Sequence, residues 1–574
     1  MSTKKSVRRS FTFVLLLAMI IALEPYGVQP SFAAYSPPVS TLRIGLYFDS
    51  AALPSANLQN VSGLGSGFEF GYYDANRQFV PIDAWTDESA ITMMMDKNMS
   101  WYPNDAGGFS EYREGTDGSF TVGCYHLMID AYYESFEQAL ATAELYEDSY
   151  VKYDSGRFYV MIGQFLTRAE ADDAFISRGL SGCLINSGTS DTIAVVRTGT
   201  SKMVFEFDYG SSRFLAVRPK QIDEETPETW FRGYKYNGGF QYARRSGMLL
   251  TVVNYVDIED YVKGILPYEM SNSWPIEALK AQACCARTYA LSSLNTHSAH
   301  GVDLCVTEHC QVYRGRGSAN ELTDRAVDET ASMYVTYNGD LCTTYYASSN
   351  GGASESCENV WNESIPYLRG VIDPYEADVA SRIPNYNWTV RYTQDEITQR
   401  MRNRGYNCAT IVKMAVSAYT PTGNVLSVTL TDANGATYVL SKRERITTTL
   451  GVPTQRFNIG NSVYAPAGIF VNMPMQRIDA DTQMFAVGSD SVVLAVSGMP
   501  VFAINASGSI EAVSGEFIAD AGDNGMINGS FVINGSGNGH NVGMSQWGAY
   551  SMAEYHGMSF IDIIKFYYTG VDVG

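Results

Sequence analysis

Asn254-Tyr-Val-Asp-Ile-Glu-Asp-Tyr-Val-Lys-Gly-Ile-Leu-Pro-Tyr-Glu-Met270 closes on a carboxylate, Glu269, set among Ile265, Leu266, Pro267, Tyr268 and Met270. Shortly after it Pro275 opens a helix, a position where no backbone N–H is needed. Ile276, Leu279, Ala283, Ala286, Ala290 and Leu294 form the apolar stripe of that helix. Arg287 lies eleven residues after Ile276, three turns plus roughly 20°, so it points along the same buried stripe. A buried arginine needs an acceptor, which a carboxylate or a bound polar ligand supplies. Apolar neighbours disfavour the ionised form of a carboxyl, the condition for a general acid near neutral pH. On the residues alone, Glu269 is equally a helix-start carboxylate or the ion-pair partner of Arg287.

Before this stretch the chain reads as strands at Met203 to Phe207, Gly233 to Tyr236 and Leu249 to Val256, with a first strand at Leu42 to Phe48 after a short Pro/Ser linker. From Gly118 the order becomes strand (Phe120 to Asp130), helix (Ser135 to Leu145), two strands across an Asp-Ser-Gly turn (Ser149 to Tyr153, Phe158 to Phe165), helix (Arg168 to Ser177) and strand (Asp191 to Arg197). This βαββαβ order is the ferredoxin-like arrangement. Residues 458–535, rich in Val, Ala, Gly and Ser, read as an inserted β-region, and a helix near Phe560 to Phe566 closes the chain. The expected fold class is therefore α+β and strand-rich. Its parts are residues 1–33, 42–117, 118–198 and 200–574.

The first 33 residues combine KKSVRR, an apolar run from Phe11 to Leu23 and small residues at Ser31 and Ala33, the pattern of a cleaved export signal. No later stretch is apolar and long enough for a membrane span. Over 574 residues, 40 Lys+Arg against 61 Asp+Glu give a net charge of −21. Loss of the leader removes four cations and one anion, leaving −24. Without a basic block, a nucleic-acid partner is excluded, because such binding depends on Lys and Arg displacing counterions from phosphates. Nine cysteines are too few for a disulfide scaffold of this size, and the odd number leaves at least one as a thiol or a metal ligand. Cys284 and Cys285 read as packing residues. Cys342 and Cys357 bracket the loop at Ser348 to Gly352, either free or stapling it.

Two resemblances add to this reading. Phe158 to Phe175, FYVMIGQFLTRAEADDAF, resembles the SPOR module, a small peptidoglycan-binding fold; a ferredoxin-like insertion without a ligand is the alternative. Asn254 to Met270, with Ile276-Glu-Ala-Leu-Lys-Ala-Gln-Ala and Ala286-Arg-Thr-Tyr-Ala, resembles the signature of the SpoIID/LytB family of peptidoglycan lytic transglycosylases and their relatives. Three further blocks agree in order: Asp303 to Tyr313, Tyr346 to Glu355 with Pro366 to Tyr375, and Gly537 to Ala549.

The resemblance implies an exported, wall-associated enzyme in which Glu269 is the catalytic acid. The MurNAc-GlcNAc β-1,4 bond breaks as the MurNAc C6 hydroxyl attacks C1, leaving 1,6-anhydro-MurNAc. It further implies that Arg287, Ser348, Ser349, Gly351, Gly352, Tyr367, Arg369, His540, Gln546 and Tyr567 line the substrate cleft. Asn541 replaces a glycine of the family pattern, and asparagine tolerates the left-handed backbone that such a turn requires. The implied partners are glycan strands and, from the LytB side, a cell-wall amidase, with a wall-binding protein that has lost turnover as a rival. The reaction needs no cofactor. Some relatives hold zinc where His300, Cys305 and Cys310 fall here, with His309 and His297 as candidates for a fourth ligand; a disulfide or two free thiols are the alternatives.

Overall fold

The computed structural model describes residues 35–460 and 524–574 apart from 105–107, 223, 246–248 and 362, together with the backbone of six short strands between 468 and 513. The leader at 1–33 lies outside the described residues. The chain is a strand-rich α+β protein built on several sheets.

Seven strands form one sheet in the lateral order Leu304–Cys305, Thr41–Tyr47, Leu250–Asp257, Gly239–Arg244, Leu215–Gln221, Gly65–Tyr73 and Phe79–Thr86. A ten-stranded sheet faces it. Phe70 of the first stacks on Phe205 of the second with ring centroids 4.6 Å apart, and Phe136 packs edge-on against Phe205. One edge of the larger sheet is the quartet Cys183–Ser187, Tyr125–Ile129, Arg157–Phe165 and Ser149–Asp154, all neighbours antiparallel, with helices Phe136–Ala143 and Arg168–Ser177 as its crossovers. That is the ferredoxin-like order expected of βαββαβ.

Its fourth strand, however, is Cys183–Ser187. The expected one, Ile193–Arg197, instead pairs with Ala90–Met95 and Met203–Asp208 farther along the same sheet. Ile193, Ala194, Val195 and Val196 are all buried, and such a continuous apolar run belongs in a sheet centre rather than at the edge that closes a small module. Met203–Asp208 runs parallel to Ser149–Asp154 and makes the quartet continuous with the N-terminal strands. Leu127, Phe136 and Val151 accordingly share one core with Leu42, Ile44 and Phe68.

The second core surrounds helix Ile276–Ser292, which is buried on nearly every face rather than along one stripe. Helices Ile258–Glu269, Glu321–Asp328, Gln546–His556 and Phe560–Tyr567 pack around it. A third core holds strands Asn387–Tyr392, Ser530–Ser536 and Phe457–Ile459, the three-stranded sheet Ile411–Tyr419, Val425–Asp432 and Thr437–Ser441, and two helices. Phe457 pairs with Gly535, so the chain between them leaves and re-enters one sheet at adjacent points; its described strands form three antiparallel hairpins.

Candidate active-site cleft

Glu269 is the last residue of helix Ile258–Glu269, not a carboxylate at the start of the next helix. The Asp257 side chain caps the helix by accepting from the Glu259 N–H at 2.8 Å, and Glu259 and Asp260 complement the positive end of the dipole. Ile258, Tyr261, Val262, Ile265 and Leu266 form its buried face. Pro267 stands in the final turn, where it forgoes the hydrogen bond its N–H would otherwise donate to the preceding turn. Gly264 matters for the site: a Cβ there would lie 2.5 Å from Cε2 of Tyr313, so only glycine lets that ring pack against the helix. Tyr313 is anchored by its hydroxyl donating to Asn254 at 2.8 Å, and the Val312 N–H beside it donates to Glu269 Oε1 at 3.2 Å.

The opposite wall comes from two blocks of sequence far apart. Tyr346–Ala347 pairs in parallel with Met544–Ser545, the Ser349 and Asn538 backbones exchange two hydrogen bonds, and the Trp547 N–H donates to Ser348 O at 3.1 Å. Asn541 does stand in the left-handed region, at φ 65°, with its amide donating to Asn350 O. Gln546 thereby reaches Glu269 Oε2 at 3.5 Å, while Tyr346 also bonds the carboxyl and takes a hydrogen bond from Gln311.

The result is a cleft of about 530 Å³ with Glu269, Ser348, His540 and Gln546 in its lining. Tyr268, Tyr289, Tyr345, Tyr346 and Trp361 add aromatic faces, which suit sugar rings. Burial pushes the Glu269 pKa above the usual carboxylate range, while the bonds from Val312, Gln546 and Tyr346 pull it back. Burial thus favours the protonated form, and the same hydrogen bonds stabilise the carboxylate once the proton is given away. His540 is neutral: burial, then Arg443, lower it to about 4, and its Nδ1 accepts from the Val542 N–H at 3.1 Å.

The family profile described as "SpoIID: Stage II sporulation protein" matches residues 246–337, the stretch that carries Glu269 and the Val312 loop. An uncharacterized protein of Brachyspira hyodysenteriae is 30% identical over 393 residues, 68% of this chain and 84% of its own length. The amidase enhancer of Bacillus subtilis is 26% identical over 54% of this chain, and stage II sporulation protein D of the same organism 31% identical over 26% of it. This chain belongs to the SpoIID/LytB family. It spans 39% of the amidase enhancer and 47% of the sporulation protein.

Several residues that the SpoIID/LytB pattern places in the cleft have other positions here. Arg287 is fully buried and grips Glu259, at 2.9 Å from Nε to Oε1 and 2.5 Å from Nη2 to Oε2, with Met333 O and Val327 O as further acceptors. Glu259 is ten residues from Glu269 on the same helix, about 15 Å away, so Arg287 is not the partner of the cleft acid. Tyr567 is buried and donates to Asp373 at 2.6 Å; the Tyr367 hydroxyl accepts from the Thr343 N–H; Arg369 pairs with Glu358. Ser349 donates to Glu376 at 2.8 Å and the Gly351 N–H bonds the same carboxylate, while the Gly352 N–H bonds Asn350. These residues brace the loop behind Ser348 rather than face the cleft. Glu376, raised to about 7 by burial and then by Asp373, also accepts from Ser545 and so joins this loop to the residue before Gln546. Tyr346 and Val312 were missed because one lies in a two-residue strand and the other acts through its backbone.

Four donors converge beside the cleft: His297, Cys305, His309 and Cys310, whose candidate ligand atoms all lie within 4.8 Å of one another. His300 is not among them. The His297–Val302 bridge folds the turn back so that His297 faces Cys310 at 3.4 Å; the rings of both His297 and His300 pack on Phe48, at 5.3 and 5.1 Å, but His300 does not reach the cysteines. All nine cysteines, Cys342 and Cys357 included, are free. Two thiols and two imidazoles in this spacing are a donor set that can hold zinc.

Proposed function

We propose that this protein is an exported peptidoglycan lytic transglycosylase that cleaves the MurNAc-GlcNAc β-1,4 bond and leaves 1,6-anhydro-MurNAc ends. The carrying observation is Glu269, a carboxyl with a raised pKa and three hydrogen-bonding partners in an aromatic-lined cleft. Its proton goes to the leaving glycosidic oxygen as the C1–O bond breaks. The C6 hydroxyl then closes on C1 and returns its proton to Glu269, so no water is consumed and one carboxyl serves as acid and base. His297, Cys305, His309 and Cys310 hold a structural zinc, which orders the loop that presents Val312 to Glu269. In this reading residues 118–198 add a wall-binding surface.

The test is digestion of purified sacculi with the whole protein. Products should carry anhydro ends about 18 Da lighter than hydrolysed ends. Glu269→Gln should lower turnover by roughly 10²–10⁴-fold, and unchanged turnover would end the assignment. Reducing MurNAc ends would mean a hydrolase, for which Glu308, the other carboxylate in the lining, is the candidate second group. Elemental analysis of protein purified without added metal should give about one zinc per chain, lost in Cys305→Ser. The likeness to an amidase enhancer over 54% of this chain favours a second reading, activation of a wall amidase, which co-purification with exported wall enzymes tests.

A further inference from the structure

Arg314 is exposed and stands two residues beyond Val312, beside the Tyr268 edge of the cleft. Its guanidinium lies 6.0 Å from the ring centroid of Tyr268, a cleft-lining residue, and 5.9 Å from that of Tyr234 on the hairpin Thr229–Phe231/Tyr234–Tyr236. The backbone fixes where Arg314 leaves the turn. Gly315, at φ 62°, packs so closely on Lys235 that a Cβ would come within 1.9 Å of its carbonyl oxygen, which locks the turn carrying Arg314 to the hairpin. Among the described residues no carboxylate or carbonyl bonds the guanidinium. Its neighbours Arg232 and Lys235 are, by contrast, engaged with Glu111 and Glu228. An arginine held between two aromatic faces, on a chain of net charge −21, is a cation kept available rather than spent on a neighbour.

We propose that Arg314, with Tyr234 and Tyr268, forms an anion subsite at this edge of the cleft that binds a carboxylate of the bound glycan. This rests on the peptidoglycan reading above. Two carboxylates of the polymer have the required chemistry, the lactyl group of MurNAc when no peptide is attached and the acidic groups of the stem peptide when one is. The planar guanidinium meets either through two parallel hydrogen bonds, while the tyrosine rings stack on the adjoining sugar.

The test compares wild type with Arg314→Gln and Arg314→Lys, substitutions at an exposed site, on soluble glycan strands. Four substrates are used: strands with stem peptides, strands stripped by an amidase, and each of these after carbodiimide coupling of the carboxyls to methylamine. Binding and, where turnover occurs, KM and kcat are measured separately. Arg314→Gln should weaken binding, or raise KM, by about tenfold on a carboxylated substrate with kcat unchanged, and Arg314→Lys should recover part of the loss. The amidated strands should not distinguish the variants. A defect confined to peptide-bearing strands assigns the carboxylate to the stem peptide; a defect on stripped strands assigns it to the lactyl group. Equal binding of wild type and Arg314→Gln on both carboxylated substrates, or the same defect on amidated ones, overturns the subsite. Strands bound but not cleaved by wild type would overturn the transglycosylase reading while leaving the Arg314 comparison intact.

Discussion

Arg287→Met removes the guanidinium from the second core while keeping most of the length of the side chain. Arg287 is completely buried and Glu259 retains 24% side-chain exposure. Breaking a buried pair by removing one partner costs about 3–5 kcal/mol, and water reaching Glu259 puts this variant at the lower end, about 3 kcal/mol. Glu259→Gln strands the buried cation on the carbonyls of Met333 and Val327 and should cost at least as much. In the double variant neither charge is left alone, so about 2–3 kcal/mol should be recovered as coupling. Catalysis should respond differently. At about 15 Å a unit charge changes the energy of Glu269 by roughly 0.3–1 kcal/mol, less than one pKa unit. Urea unfolding followed by tryptophan fluorescence reads the stability, since Trp274 and Trp547 pack together at 4.7 Å in this region. Turnover per folded molecule, measured across pH, reads the rest. A variant that keeps its urea midpoint yet loses a hundredfold in turnover, or whose pH limb moves by more than one unit, would refute the structural role of Arg287.

Burial raises the Glu269 pKa above its unfolded value, so the folded state holds more protons there and stability falls as pH climbs from about 4.5 through the folded pKa. Glu269→Gln, which has no charge to desolvate, should be more stable than wild type at neutral pH, with the gap closing toward pH 4.5 in thermal melts. Gly264→Ala should cost about 1–2 kcal/mol and lower kcat by displacing Tyr313 and, with it, the Val312 N–H; unchanged kcat would show that this packing does not place the donor. His540, depressed to about 4, contributes stability that is present above its unfolded pKa near 6.5 and lost as pH falls toward 4; His540→Gln should flatten that acid limb. Glu308→Gln should keep most of the turnover, and a loss as large as that of Glu269→Gln would favour a two-carboxylate hydrolase.

What the sequence by itself determined was local. The helical character of residues 276–292, the alternation and turns between 118 and 177 and the apolar setting of Glu269 are written in neighbouring residues, because helix and strand preferences and a carboxyl's immediate surroundings act over a few positions. The ordered blocks around Glu269, His540 and Gln546 likewise identified the family without any coordinates. Only tertiary structure decided the pairings. Gln546 meets Glu269 across 277 residues, and Arg287 chose Glu259 over Glu269 because helix packing, not spacing along the chain, sets which carboxylate lies beside a buried cation. Locally, the run Asp191 to Arg197 reads as the strand that closes the quartet, yet Cys183–Ser187 took that edge, and the partners of each strand settled the matter. His297 rather than His300 joined the cysteines for the same kind of reason. The backbone bridge of the turn brings His297 within reach of the cysteines and leaves His300 short of them, although both rings lie against Phe48, and no local signal records which of the two joins the cluster.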